Sequence, residues 1–386
     1  MRHVLLLLLF AASLAAQQAR VPVELVGNRV HIPVSVNGSA PGSFILDTGA
    51  ARSPLDTDFA EIAGVGVTGR TRVMGAGGSE NVQVATPMTL AFAGLTVRTR
   101  RVPLIQFDAI SLRIGRPLDG ILGYEVLQRY VVEIDYEGRA VAFHDRKRYQ
   151  PPAGAVRLPI GFNRGRVPVA DVRISLPGGR TVTARVLVDT GAGGSLGLNR
   201  AFAKKHRIEL ENAIAMHGYG VGGGTRGRSG RLAAVELAGF RFERPVVSVF
   251  DTTHGALARS SIDGVLGGEI LRRFTVIIDY ARKQLLLVPN ASLHEPFEQT
   301  ATGVMLMARD TAFDAIVIHD LLAGAPAEEA GLRVGDELRA IDGRAVKPAD
   351  LTEIRELLAQ PDRRYVLTIV RNGEELTVPL LTRRLL

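Results

Sequence analysis

Residues 30–36 (Val-His-Ile-Pro-Val-Ser-Val) and 180–188 (Arg-Thr-Val-Thr-Ala-Arg-Val-Leu-Val) alternate apolar and polar side chains. A period of two predicts strands with one buried face. Turn residues bound them, Asn37-Gly38 after the first stretch and Pro177-Gly178-Gly179 before the second. Helical expectation in the first 290 residues is confined to short segments at 124–129 and 268–273.

The pattern repeats. Residues 44–50, Phe-Ile-Leu-Asp-Thr-Gly-Ala, return at 186–192 as Val-Leu-Val-Asp-Thr-Gly-Ala, an offset of 142. Residues 119–130 return at 263–274, and the continuation to Asp135-Tyr136 returns at Asp279-Tyr280, both at 144. A glycine-rich segment lies between the blocks in each copy, at 74–79 and at 218–225. Blocks in the same order at near-constant offset imply a duplicated domain. The expected organisation is copy one at 20–149, a linker at 150–155, copy two at 156–288, a linker at 289–301 and a third module at 302–386. Each copy reads as a small all-β unit, a partly closed barrel.

Composition narrows the chemistry. The 386 residues are 46% hydrophobic, enough to bury several cores without disulfides. The absence of cysteine removes disulfide scaffolds, thiolate metal sites and cysteine nucleophiles. The net charge of +8 is spread along the chain and only 5% of residues are aromatic, so no basic, stacking face for nucleic acid is expected. The eight histidines include no HExxH spacing, and no Gly-x-Ser-x-Gly turn occurs, so neither a metal, a cofactor nor a serine triad is expected. Residues 1–16 have a basic start, a short leucine-rich core and small residues before a cut after Ala15 or Ala16. That is the plan of a secretory signal peptide, which implies export to a periplasm or beyond. No other stretch is long enough for a membrane anchor.

The two Asp-Thr-Gly turns carry the chemistry. If the copies pack about a pseudo-twofold axis, Asp47 and Asp189 meet on it. Two carboxylates about 3 Å apart repel by roughly 5 kcal/mol even at an effective dielectric near 20. One proton is therefore shared, and the pair can hold and activate a water. Which aspartate carries the proton is not fixed by sequence. Thr48 and Thr190 can bond across the axis; Gly49 and Gly191 allow a tight backbone approach and a positive φ. The glycine-rich hairpins, with Gly75, Gly77, Tyr219 and Gly220, can close as flaps over a substrate.

Asp-Thr-Gly-Ala, the glycine-rich flap and the blocks Ile121-Leu122-Gly123 and Val265-Leu266-Gly267 resemble retropepsin-type aspartic proteases. Two copies in one chain are similar in plan to bilobal pepsins. The resemblance implies a mainly β fold: two acid-protease barrel lobes with an active site between them. It also implies an aspartic endopeptidase with Asp47 and Asp189 as catalytic residues, acting on polypeptides. The chain departs from the viral pattern after the motifs, with Ala51-Arg52-Ser53 and Gly193-Gly194-Ser195, then Tyr124-Glu125 and Gly268-Glu269.

The third module resembles a bacterial PDZ domain, on residues 322–344 (Leu-Ala-Gly-Ala-Pro-Ala-Glu-Glu-Ala-Gly-Leu through Ile341-Asp342-Gly343-Arg344). Short helices are expected at 326–330 and, opened by an Asp350/Glu353 capping box, at 350–359. A terminal hairpin turns at Asn372-Gly373. PDZ domains take extended C-terminal tails as an added strand; Gly303, Val304 and Met305 would begin the receiving strand. The module either recruits substrate tails, restrains activity or serves only packing. Two further readings stay open: a non-catalytic peptide-binding protein on a protease-like scaffold, and a homodimer pairing like copies between chains instead of a monomer with an internal dyad.

Overall fold

The computed structural model describes residues 17–258 and 261–386; the expected signal peptide, 1–16, lies outside them. A six-stranded antiparallel sheet joins the two repeats, in the order Gln17–Pro22, Ala140–His144, Val131–Asp135, Phe274–Asp279, Gln284–Pro289, Val156–Pro159. Its central strands are apolar runs because both faces are covered: Val131, Val132, Ile134, Val276, Ile277 and Ile278 are fully buried. At the centre Val131 pairs with Asp279, Glu133 with Ile277 and Asp135 with Thr275. Glu133 thus faces its own repeat counterpart, and the pseudo-twofold axis passes through that pair.

Each lobe hangs a large further sheet from this seam, and the first lobe adds a separate two-stranded ribbon. In the first, Gly42–Leu46 runs parallel to Gly120–Leu122; in the second, Thr181–Val188 runs parallel to Gly264–Leu266. These pairings set both Asp-Thr-Gly turns against the Leu-Gly blocks 75 or so residues downstream. One apolar cluster, including Ile32, Leu46, Leu122, Ile134, Val188, Leu266 and Ile278, runs through both lobes. The short helices after the Leu-Gly blocks form, at Tyr124–Leu127 and Gly268–Leu271. Three more helices arise that period-two reading missed: Thr57–Ile62, Asp108–Ile114 and Arg200–His206. Two have a polar cap just ahead of them: Asp56 accepts from the amides of Asp58 and Phe59, and Asn199 from that of Phe202.

The stretch read as a polar linker, 289–301, packs against the second lobe. The guanidinium of Arg273 is fully buried, donates to the carbonyls of Ser292, Leu293 and Glu295, and lies 3.8 Å from the Phe297 ring centroid. The C-terminal module is an α+β unit. Its sheet runs Val304–Ala308, Ile316–Leu321, Glu337–Ile341, Arg364–Arg371, Glu374–Leu381, closed by the helix Leu351–Leu358 over a core of its own. The final hairpin turns at Asn372-Gly373, both at positive φ. The expected capping box does not open the long helix. A 3-10 turn, Pro348–Asp350, precedes it, and the Asp350 carboxylate accepts from the amide of Lys347 instead.

Candidate active site

The two Asp-Thr-Gly turns meet on the pseudo-twofold axis, and Asp47 and Asp189 hydrogen-bond each other through their carboxyl groups. A reciprocal threonine network fixes them. The Thr48 amide donates to Thr190 Oγ1 at 3.1 Å and the Thr190 amide to Thr48 Oγ1 at 3.0 Å. The Thr48 hydroxyl donates to the Val188 carbonyl at 2.6 Å, and that of Thr190 to the Leu46 carbonyl at 2.7 Å. Both threonines are completely buried, so each lobe supplies the polar partners that the other would otherwise leave unsatisfied.

Of the two reasons expected for the glycines of the turns, close approach holds and a positive φ does not. Neither Gly49 nor Gly191 has a positive φ. A Cβ at Gly49 would lie 2.6 Å from the Asp189 carboxyl carbon, and one at Gly191 would lie 2.5 Å from that of Asp47. Close approach of the opposing carboxylate, not backbone handedness, demands glycine there. The Leu-Gly blocks hold the turns from outside: the amide of Asp47 donates to the Leu122 carbonyl and that of Asp189 to the Leu266 carbonyl. The residues that depart from the viral pattern are used in place. Arg52 pairs with Glu125 at 3.2 Å in lobe one, while Glu269 accepts from Asn28 at 2.8 Å and pairs with Arg272 and Arg273 in lobe two.

The electrostatics are asymmetric. Burial and then the neighbouring Asp189 charge push the Asp47 carboxyl well above the ordinary range, against the backbone amides of Gly49 and Ala50. Burial also raises Asp189, but a hydrogen bond from Asp47, the amides of Gly191 and Ala192 and the charge of Arg29 hold it down. Burial and mutual proximity thus raise both carboxyl groups, so the pair keeps a shared proton where a free carboxylate would be ionised. Arg29 was not singled out by sequence; it begins the strand Arg29–Val36 and donates through Nε to the Gly191 carbonyl at 2.7 Å. Near the pair lie Tyr136 and Tyr280, buried repeat counterparts whose hydroxyls have no hydrogen-bond partner among the described residues.

Both glycine-rich segments form hairpins, Val67–Met74 with Ser79–Ala85 and Glu211–Gly220 with Gly223–Arg231. Their tips touch backbone to backbone. The Gly77 amide donates to the Val221 carbonyl at 3.1 Å, and Cβ atoms at Gly75 and Gly77 would lie 2.1 Å from the carbonyl oxygens of Val221 and Gly223. Gly220 abuts Ala76 in the same contact. A cavity of about 460 Å³ opens beside this contact, lined by Gly77, Tyr219, Arg226, Asp251 and His254.

Tyr219 points elsewhere than a flap reading suggests. Its hydroxyl bonds His319 Nε2 of the third module at 3.1 Å, and its ring lies under the Arg113 guanidinium, 5.6 Å away. His217 on the same strand contacts Asp320 at 2.9 Å. The third module therefore grips the second flap. Its expected receiving strand, Val304–Ala308, is an edge strand, and it faces the lobe-one helix Asp108–Ile114. Arg113 Nη1 donates to Met305 Sδ at 3.2 Å, and Arg355 bridges the carbonyls of Arg113 and Leu306. Gly303 turns the chain into that strand with its amide already bonded to Thr300 Oγ1 at 3.0 Å. Among the described residues no cluster of three or more His, Cys, Asp or Glu has metal-binding geometry.

A family model described as aspartyl protease matches residues 32–126 and again 170–270, and a PDZ domain model matches 317–371. No curated protein matches the chain.

Proposed function

As the chain belongs to the aspartyl protease family and ends in a PDZ domain, we propose that it is an exported aspartic endopeptidase that hydrolyses peptide bonds between its lobes. The observation that carries this reading is the hydrogen-bonded Asp47–Asp189 pair, both carboxyl groups raised by burial and braced by Thr48 and Thr190. Water held between the carboxyl groups gives a proton to ionised Asp189 as its oxygen bonds the peptide carbonyl carbon. Asp47 gives its proton to the carbonyl oxygen, and a tetrahedral diol results. The proton on Asp189 then passes to the amide nitrogen and a diol proton returns to Asp47 as the C–N bond breaks. The pair ends as it began. The two flaps, touching at their tips, exclude water and part to admit an extended chain.

The PDZ domain acts as a regulator of the second flap and as a receiver of polypeptide tails. Its grip on Tyr219 and His217 supports the first role, and the edge strand from Val304 and Met305 supports the second. Export rests on the N-terminal segment, and N-terminal sequencing of the mature protein from fractionated cells tests it. Digestion of an unfolded protein and of a mixed peptide library, with and without an aspartic-protease transition-state inhibitor, tests the activity. Inhibitor-sensitive cleavage that disappears in both D47N and D189N is the expected result. Undiminished cleavage in either variant sinks the reading, and no cleavage by the wild-type chain leaves a peptide-binding protein on a protease scaffold.

A further inference from the structure

Buried arginines in this chain are normally matched with carboxylates. Arg273 pairs with Glu269, Arg371 with Asp336 and Arg231 with Glu298. Three half-buried arginines break the habit: Arg29 at the start of its lobe-one strand, Arg113 near the end of the helix Asp108–Ile114, and Arg355 on the PDZ helix Leu351–Leu358. Among the described residues none of them forms an ion pair with an Asp or Glu. Arg29 donates to the carbonyls of Gly191 and Gly27, Arg355 to those of Arg113 and Leu306, and Arg113 to Met305 Sδ. Each guanidinium has five N–H donors, so most remain unspent.

We propose that Arg29, Arg113 and Arg355 form a carboxylate-recognition site that selects acidic polypeptide, holding an Asp or Glu side chain or a free C-terminus.

The three charges feel one another. Burial and then the charges of Arg113 and Arg29 push Arg355 down to about 9, so it stays protonated at neutral pH under mutual repulsion. Burial and Arg113 likewise lower Arg29, and only the aspartate pair opposes this. Arg113 is lowered by burial and has the Tyr219 ring and the Met305 sulfur beside it rather than a carboxylate. Glu353 and Glu356 share the helix with Arg355 but form no ion pair with it; Glu356 faces Arg272 and Arg139. An incoming carboxylate would relieve the repulsion and take the unspent donors, bidentate where it meets one guanidinium. The location favours a carboxylate borne on a peptide. The cluster runs from the Gly191 carbonyl beside the aspartates to the Leu306 carbonyl on the PDZ edge strand, the two tracks an extended chain would follow.

The cleavage arm of the test rests on the peptidase reading; the binding arm does not. Four labelled peptides of one sequence are compared, with Glu or Gln at the test positions and a free or amidated C-terminus. Anisotropy on full-length D47N should show about tenfold tighter binding of the charged forms, shrinking as NaCl rises from roughly 50 to 500 mM. A Glu-over-Gln preference assigns the side chain as the anion, and a free-over-amidated preference assigns the terminus. The charged-to-neutral ratio should fall toward one in R113Q/R355Q and survive in R113K/R355K. Equal binding of all four peptides at low salt overturns the proposal, as does a preference that R113Q/R355Q leaves intact. If those variants do not fold, the charge ratio and its salt dependence in the parent protein decide. Selective binding without cleavage by the wild-type chain would refute the peptidase and keep the anion site; cleavage with charge-blind binding would do the reverse.

Discussion

The two lobes share a motif and a seam but differ in three places. Strand register, unlike motif spacing, locates the first. Pro33 lies opposite Ser43 as Asp171 lies opposite Arg185, so Arg29 corresponds to Val167, a buried apolar residue. The Arg29 charge thus acts on the aspartate pair from one side only, with an apolar residue at the corresponding place on the other. Second, where lobe one has the helix Asp108–Ile114, the described residues of lobe two have a loop with a 3-10 turn, Ala256–Ala258, and the lobe-one helix packs on the PDZ strand Val304–Ala308. Third, the lobe-one flap is a two-stranded ribbon tied to its lobe by one bridge, Val84 to Pro103, whereas the lobe-two flap joins its sheet through Gly227–Arg231 on Val246–Phe250. Symmetry places the dyad, and these asymmetries give its halves different surroundings and the flaps different supports.

The sharpest way to break the comparison is to remove each aspartate in turn. D47N and D189N should each lower kcat/KM by about 1000-fold or more, because neither carboxyl can do the other's work. Equal loss in both would mark the chemistry as shared despite the unequal surroundings. The pair also opposes folding at neutral pH. Both carboxyl groups titrate above the ordinary 3.8, so the stability they add is complete below that value and is lost as pH rises through their folded values. D47N should flatten this decline in urea titrations across the acid range.

T48V and T190V come next, and here the lobes should behave alike. Each removes a hydroxyl that accepts from one lobe and donates to it, stranding two buried groups at a cost of roughly 2–5 kcal/mol in unfolding free energy. R29Q tests the difference in surroundings itself. Without the cation Asp189 keeps its proton to higher pH, so the acidic limb of the pH–rate profile should move to higher pH. V167Q, at the corresponding place, should leave that limb where it was. The smallest effect concerns the flaps. Amide exchange should be faster in Val67–Ala85 than in Glu211–Arg231, and Y219F, which loses the bond to His319, should narrow the gap severalfold.

Local chemistry that repeats was legible in the chain, and contacts between distant single residues were not. The Asp-Thr-Gly turns could be read because the strand before them and the Leu-Gly block after them recur together, and the parallel pairing of those segments is what sets the aspartates. Thr48 and Thr190 followed from the same symmetry. Arg29 escaped because its lobes differ in hairpin length there, so the motif offset aligned it with the wrong residue. Arg113 belongs to a short helix with no motif and Arg355 to an expected PDZ helix, and their shared environment is made by segments more than two hundred residues apart. The helix around Arg113 has no side-chain cap to announce it, whereas Asp56 and Asn199 were readable caps left unused. Tyr219 sat at a flap position, but its partner lies 100 residues away in another domain.

The central rung of the seam has a bearing on why both halves travel in one polypeptide. Cut the chain between its halves and two copies of the first would align Glu133 against Glu133, like charges directly opposed across antiparallel neighbours, which disfavours the match. Two copies of the second would set Ile277 on Ile277, an agreeable fit. The covalent tether therefore does for the first half what its own edge would refuse: it guarantees a mate of the other kind.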